Sequence, residues 1–365
     1  MSWTGVVHNS ILTGQGAEYQ SRPGRFCCSL LNALNERLVR VMTGVRLNVA
    51  AQSWQCRRRQ PAAAAAIMAG EERRRPVKGI ILAGGHGVRL HPVTLGISKQ
   101  LLPVYDKPMI YYPLSVLMLA GITDIQIIST PEDLGIFQRL LGDGSWLGIS
   151  LSYAEQDKPR GLADAFLVSA DHIGDDSVAL VLGDNIFHGA KFAQLLQRVT
   201  RNVEGCILFG YPVRDPERYG VGLLDEHGKL ISIEEKPARP QTNLAITGLY
   251  LYDNKVVDIA RGLQPSERGE LEITDVNRIY LERDEATLIP LGRGFVWLDT
   301  GTPDALMEAG QYMQILEHRQ GVRIGCLEEI AWRMGFIDSD TCYRLGSRLA
   351  RSPYGQYVME IVEAG

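Results

Sequence analysis

Several short segments of this 365-residue chain carry residue types that suit phosphate chemistry. Leu82-Ala83-Gly84-Gly85-His86-Gly87-Val88-Arg89-Leu90 places glycines and a cation directly after an apolar run. Glycines let backbone N–H groups approach phosphate oxygens, and the arginine adds fixed charge. The segment lacks the Gly-Lys-Ser/Thr ending of a Walker A loop, and its spacing does not match Gly-x-Gly-x-x-Gly. A tight strand-to-helix turn that needs glycine for steric reasons is the competing reading. Ser98-Lys99-Gln100-Leu101-Leu102-Pro103 sets a lysine and an amide before a turn, although most lysines are simply solvated. Val181-Leu182-Gly183-Asp184-Asn185 puts a carboxylate at the end of an apolar run, and Trp297-Leu298-Asp299-Thr300-Gly301 supplies a second. Each aspartate alone reads as a turn or capping residue. Two carboxylates from separate strands suit Mg²⁺, a hard cation that keeps several waters and neutralises charge in phosphoryl chemistry.

These residues need a frame. Val77–Ala83, Ile125–Ser129, Leu151–Ala154 and Val178–Leu182 are short apolar runs that read as buried parallel strands. Between them, Leu114–Leu119 and Leu134–Leu141 are helical patterns closed by Gly121 and Gly142, and Phe192–Val199 is amphipathic. Strands alternating with helices imply βαβ units. In such sheets ligands bind outside the carboxyl ends of the strands, where Asp184 stands. Farther along, Ile207–Tyr211, Gly222–Leu224, Ile231–Glu234 and Gly248–Tyr252 read as strands, and Asn254–Arg261 and Ile273–Leu281 as helices. Thr302–Arg319 is a long helix with Thr302 as N-cap and Pro303 at its first position. From Glu328 the chain reads as helical. The expected fold is a doubly wound, Rossmann-like α/β domain with a mixed sheet, helices on both faces and a C-terminal helical addition.

Composition bounds the rest. The chain is 45% hydrophobic with a formal charge of −4, which argues against a nucleic-acid partner. No run of eighteen apolar residues suggests a membrane span. Six cysteines at irregular spacings, with no Cys-x-x-Cys pair, fit reduced thiols in a cytoplasmic protein. Residues 1–67 hold eight arginines against two acids, a formal +6, which leaves −10 for the remainder. An Arg-rich, acid-poor start fits a targeting peptide, a disordered basic arm, or translated upstream sequence with Met68 as the true start. The last reading is preferred because the strand pattern begins about ten residues after Met68. The expected organisation is a basic extension over residues 1–75 and one catalytic domain over 76–365.

The glycine loop followed by SKQLLPVYDKPMIYYPLS from Ser98 resembles the sugar nucleotidyltransferases, and the likeness runs from about Lys78 to near the C-terminus. It implies transfer of a thymidylyl group from dTTP to glucose 1-phosphate, releasing pyrophosphate, with Mg²⁺ held by Asp184 and Asp299. The resemblance gives Arg89 the triphosphate and leaving group, and Lys99 the α-phosphate or pyrophosphate. Lys236 and Arg268 take the sugar phosphate and Glu235 the sugar hydroxyls. It places Tyr219 and Gly220 against the sugar, with Asn185 and Ile246 in the same half of the site. Leu82, Gly84, Gly85, Gly87, Gln100, Gln156, Pro159 and Gly161 form the nucleotide half. A side-chain amide such as that of Gln156 can pair with both edges of a pyrimidine. On composition alone, Glu234-Glu235-Lys236-Pro237 is a solvated charged turn, Glu270–Asp275 is a run of acids opening a helix, and Gln156 belongs to a polar loop.

The chain departs from the family pattern at Val88, where a threonine is usual, and at Arg160, where close relatives carry aspartate. The first predicts weakened pyrophosphate binding and the second bears on base preference. The resemblance also implies a homotetramer and a feedback nucleotide site at Gly189, Arg293, Glu329 and Arg333, with His188 and Ala190 atypical. Two rival readings are a UTP-dependent uridylyltransferase and a sugar-nucleotide sensor without turnover.

Overall fold

The structure, a computed structural model, describes residues 76–85 and 87–365. The expectations for residues 1–75 fall outside the described residues.

In chain order the strands are β1 (Val77–Leu82), β2 (Pro103–Val104), β3 (Lys107–Pro108), β4 (Asp124–Ser129), β5 (Ser150–Glu155), β6 (Ser177–Leu182), β7 (Asn185–Gly189), β8 (Cys206–Pro212), β9 (Gly220–Leu224), β10 (Leu230–Glu235), β11 (Leu244–Tyr252), β12 (Ala286–Pro290) and β13 (Phe295–Asp299). The helices are α1 (Tyr111–Leu119), α2 (Pro131–Leu141), α3 (Asp164–Val168), α4 (Ala170–Ile173), α5 (Phe192–Val199), α6 (Lys255–Gly262), α7 (Ile273–Glu282), α8 (Pro303–Gln320), α9 (Leu327–Arg333), α10 (Ser339–Arg348) and α11 (Pro353–Glu363).

Nine strands form one mixed sheet, with the path β10-β9-β11-β6-β1-β4-β5 and with β8 paired to both β11 and β12. The first half is parallel: β1 pairs with β4 and β6, and β4 with β5. β1, β4 and β6 are largely apolar because both faces are covered, whereas β5 at the sheet edge buries only Leu151. One core layer packs Ile81, Ile125 and Ile127 under α1 and α2 residues such as Leu117 and Phe137. The other packs Ile80, Leu180 and Tyr252 against Phe166 of α3, Val256 of α6 and Val276 of α7. The doubly wound arrangement expected from the alternating pattern is therefore present, with α9, α10 and α11 as the C-terminal addition.

Sequence signals locate most ends. Thr302 caps α8 by accepting from the Ala305 N–H, as expected, and Thr130 does the same for α2 through Asp133. The Thr130 cap and Pro131 start α2 earlier than the apolar pattern at Leu134 suggested. Strand β11 begins four residues before the expected Gly248. Its pairing with β8 shifts register between Ile246 and Tyr250, so no alternating pattern marks the extension. Within that shift the Gly248 N–H leaves the ladder and donates to Asn185 Oδ1 at 3.1 Å.

Candidate functional site

The two aspartates meet because of one strand pair. Asp184 follows β6, a central parallel strand, and Asn185 begins β7. β13 returns antiparallel along β7 with Asp299 opposite Asn185. Asn185 is the hub: its Nδ2 donates to Asp184 Oδ1 at 3.0 Å, and its Oδ1 accepts from Trp297 Nε1 at 2.6 Å and from the Gly248 N–H. Four segments are tied through this one buried amide.

The carboxylates differ electrostatically. Burial alone would push the Asp184 carboxyl up, but the Lys99 ammonium, which is bonded to it, and the Asn185 amide hold it below the usual carboxylate range. Asp299 lies above that range because it is largely buried and faces the Asp184 charge, which Arg89, Lys99 and Arg218 offset only in part. Two carboxylates sharing a partly dry site favour a divalent cation between them. Among the described residues no third Asp, Glu, His or Cys joins them. That donor set fits Mg²⁺, which takes one or two carboxylates and completes its shell with substrate oxygens and water.

A cavity of about 330 Å³ opens beside this pair. Arg89, Asp184, Asn185, Tyr219, Gly220, Glu235, Lys236, Ile246 and Asp299 line it, so nine residues singled out in the sequence share one space. Gly301 makes room for the approach of Arg89: a Cβ there would stand 2.6 Å from Arg89 Nη2 and 3.1 Å from Asp299 Oδ1. Tyr219 packs edge-on to Trp297 at 5.1 Å between centroids, which exposes one flank of the ring to the cavity. Glu235 Oε2 accepts from Thr274 Oγ1 at 2.6 Å, and Lys236 Nζ lies 3.1 Å from Glu235 Oε1. Lys236 holds φ at +42°, a conformation that a residue before proline rarely adopts. Its N–H bonds the Tyr219 carbonyl at 3.0 Å, so β10 delivers the lysine at a sharply turned, strained end.

The nucleotide-side residues gather at the carboxyl ends of β1, β4 and β5. Leu82 ends β1, and its carbonyl accepts from Gly183. Lys99 runs beside Gly85, with Nζ 3.9 Å from where a Gly85 Cβ would be. Gly87 takes φ +59° and its carbonyl accepts from Thr94 Oγ1 at 2.8 Å, which pins the loop ahead of Arg89. Val88 points into solvent. Gln100 is buried, accepts from Ser98 Oγ and packs under Gly183. Gln156 abuts Gly84. Pro159 is exposed in the loop that leads to Gly161, where φ is +101° and a Cβ would strike the Leu271 carbonyl at 2.3 Å. Arg268 is the exception: it does not line the cavity and pairs with Glu272 at 2.9 Å.

Sequence reasoning passed over Arg218, Thr274, Asn277 and Trp297, which also line the cavity. Arg218 immediately precedes Tyr219, and its guanidinium sits 5.5 Å from that ring. It lies in the turn Pro216-Glu217-Arg218-Tyr219-Gly220, where an arginine reads in sequence as a solvated charge. Thr274 and Asn277 point inward from α7, whose first turn reads in sequence only as acids at a helix start.

A profile of the nucleotidyl transferase family matches residues 78–315. The chain belongs to that family. It is 55% identical over 287 residues to a glucose-1-phosphate thymidylyltransferase of Neisseria meningitidis serogroup A, covering 79% of this chain and 100% of that one. The identity is 54% to the enzyme of that name in Mycolicibacterium smegmatis, over 79% and 99% of the two chains. A Bacillus anthracis structure described as a glucose-1-phosphate thymidylyltransferase with sucrose superposes with a TM-score of 0.61 at 43% identity, over 65% of this chain and 94% of that one. A UDP-glucose pyrophosphorylase complexed with UDP-glucose shares the fold, with a TM-score of 0.57 at 24% identity over 66% and 99%.

A second cavity of about 400 Å³ lies between α5 and α9 in this nucleotidyl transferase fold. His188, Gly189, Glu329 and Arg333 are among its lining, whereas Arg293 and Ala190 are not. Arg333 Nε bonds Glu329 Oε1 at 2.7 Å, and Tyr357 OH donates to Glu329 Oε2 at 2.6 Å. No described helix is long and apolar enough to cross a membrane.

Proposed function

We propose that this protein is a glucose-1-phosphate thymidylyltransferase. A phosphate oxygen of glucose 1-phosphate attacks the α-phosphorus of dTTP, the α–β phosphoanhydride bond breaks, and pyrophosphate leaves as dTDP-glucose forms. The observation that carries this reading is the convergence of Arg89, Asp184, Lys236 and Asp299 on one cavity, with Lys99 bonded to Asp184. The sequence identity to enzymes of that name supports the choice of substrates.

The residues act by positioning and charge rather than by covalent chemistry. Arg89 meets charge developing on the leaving pyrophosphate. Lys99 spans from the glycine loop to Asp184 and contacts the α-phosphate or pyrophosphate. Lys236 binds the sugar phosphate, and Arg268 joins it by leaving Glu272. Tyr219, Gly220, Asn185, Ile246 and Glu235 form the sugar wall, and Glu235 takes its hydroxyls. Leu82, Gly84, Gly85, Gly87, Gln100, Gln156, Pro159 and Gly161 form the nucleotide wall. Asp184 and Asp299 would hold Mg²⁺, which supplies charge neutralisation at the phosphates.

The working unit on this reading is residues 76–365. The cavity at Gly189, Glu329 and Arg333 serves as a feedback nucleotide site, with Arg293 reaching it from elsewhere, in a homotetramer. The test is pyrophosphate release from dTTP and from UTP with glucose 1-phosphate and Mg²⁺. Release with dTTP as the preferred nucleotide is expected. Preference for UTP would move the reading to uridylyl transfer, and binding without release would move it to a sensor.

A further inference from the structure

We infer that Asp164 and Arg160 form a clamp that fixes which way the Gln156 amide faces, and so select nucleotides whose base presents a ring N–H, such as thymine or uracil, over cytosine. This deepens the reading above and rests on it.

The observations are local. Asp164 opens α3 and is only 4% exposed, as is Gln156. Gln156 Nε2 donates to Asp164 Oδ2 at 2.8 Å. Arg160 Nε lies 3.3 Å from both oxygens of Asp164, and its Nη1 is 3.0 Å from Asp157 Oδ1. A carboxylate only accepts hydrogen bonds, so the amide nitrogen must face Asp164. The opposite edge, Oε1, is then turned away from Asp164 and toward Gly84. It stands 3.1 Å from where a Gly84 Cβ would be, and the missing methyl keeps it uncovered. Among the described residues no donor is bonded to it. The Gln156 N–H is itself tied to the Ser129 carbonyl at 2.9 Å, so the residue is held at the carboxyl end of the parallel strands.

A fixed amide acceptor has a chemical preference. The N3–H of thymine or uracil can donate to Oε1. Cytosine N3 is an acceptor, so the same placement opposes two lone pairs and leaves both groups unpaired. Selection therefore follows from the orientation of Gln156, and the orientation follows from Asp164. Arg160 neutralises the buried carboxylate. Asp164 and Arg160 are positioning residues, because they act through Gln156.

The test compares kcat/KM for dTTP and dCTP in the wild type, Asp164→Asn and Arg160→Met, with glucose 1-phosphate saturating. Asn can offer Gln156 either a donor or an acceptor, so the amide is free to turn. The dTTP:dCTP ratio should fall by about tenfold in Asp164→Asn, the worth of one neutral hydrogen bond. It should fall by less in the surface variant Arg160→Met, and KM for glucose 1-phosphate should hold in both. In a Gln156→Ala background Asp164→Asn should leave the ratio unchanged. Asp164→Asn that lowers kcat/KM equally for both nucleotides, or that acts as strongly without Gln156, would overturn the clamp while leaving the reaction intact. If Asp164→Asn does not fold, an unchanged ratio in Arg160→Met, set beside a collapsed ratio in Gln156→Ala, would do the same. Wild-type protein that releases no pyrophosphate from dTTP would overturn the underlying reading and this inference together.

Discussion

Two groups of charges in this chain are built on opposite principles. Around Lys107 they close on themselves. Lys107 Nζ lies 2.6 Å from Asp106 Oδ1 and 2.9 Å from Glu317 Oε1, Arg323 bonds Asp106 and reaches Glu317, and the Ile324 N–H adds a bond to Glu317. Two cations meet two anions with the Lys107 and Glu317 side chains almost fully buried. In the cleft, beside the Lys99–Asp184 and Lys236–Glu235 pairs, two charges stay open. Asp299 is buried against a second carboxylate, and neither it nor Arg89 has an ion-pair partner among the described residues. A cluster that balances itself ties segments together, here the β2–β3 hairpin to α8. A cluster left unbalanced waits for a ligand to complete it.

The contrast can be broken at its closed end first. Lys107→Met leaves buried Glu317 with the Ile324 N–H and, as its one remaining cation, the more distant Arg323, and stability should fall by about 3–5 kcal/mol in urea unfolding. Adding Glu317→Leu should recover a large part of that loss, and no recovery would mean the pair is not a closed unit. At the open end Arg89→Ala should lower turnover by about a hundredfold or more, near 2.7 kcal/mol, with the unfolding midpoint unchanged. Near-normal turnover would remove Arg89 from its assigned role.

Asp299→Asn sharpens the comparison further. It relieves the repulsion from Asp184, so the metal-free variant should unfold about 2 °C higher than the wild type while losing Mg²⁺-dependent pyrophosphate release. Added Mg²⁺ should raise the wild-type midpoint and leave that of the variant in place. A drop in the variant's midpoint would show Asp299 to be structural.

The smallest effect concerns Glu328, a buried acid in the helical addition. Burial pushes its carboxyl above the usual range, and the bond from Tyr354 OH at 2.5 Å only partly offsets this. Its folded value is raised, so its contribution to stability is present below the unfolded value of about 4.3 and is lost as pH rises through the folded one. Glu328→Gln removes that loss. The variant should gain under about 1 kcal/mol on the wild type at pH 8 and less at pH 5, by urea unfolding. Equal gains at both pH values would contradict the shift.

Much of this was legible in the residues. Short apolar runs marked β1, β4 and β6, because a strand buried on both faces is largely apolar, and the run Leu151–Ala154 marked the edge strand β5. Thr302-Pro303 marked the start of α8, because a cap and a fixed φ are local properties. The glycine loop, Asp184 and Asp299 were visible by type and position. The short strands β7 and β12 were not, since neither carries a sustained period. Arg218 was hidden for another reason: an arginine in a turn reads like any solvated charge until its neighbours are known.

What the sequence determined alone was the parallel half of the sheet and the chemistry available at its strand ends, since both depend on residues adjacent in the chain. Tertiary structure decided which of those groups meet. Only the β13–β7 pairing brings Asp299 to Asp184 across more than a hundred residues. Only packing leaves Asp299 unpaired, engages every lone-pair partner of Asn185 and turns Gln156 toward Gly84. The physical reason is that hydrogen bonding, burial and charge coupling act through distance in space, and the spacing of residues along a chain does not specify that distance.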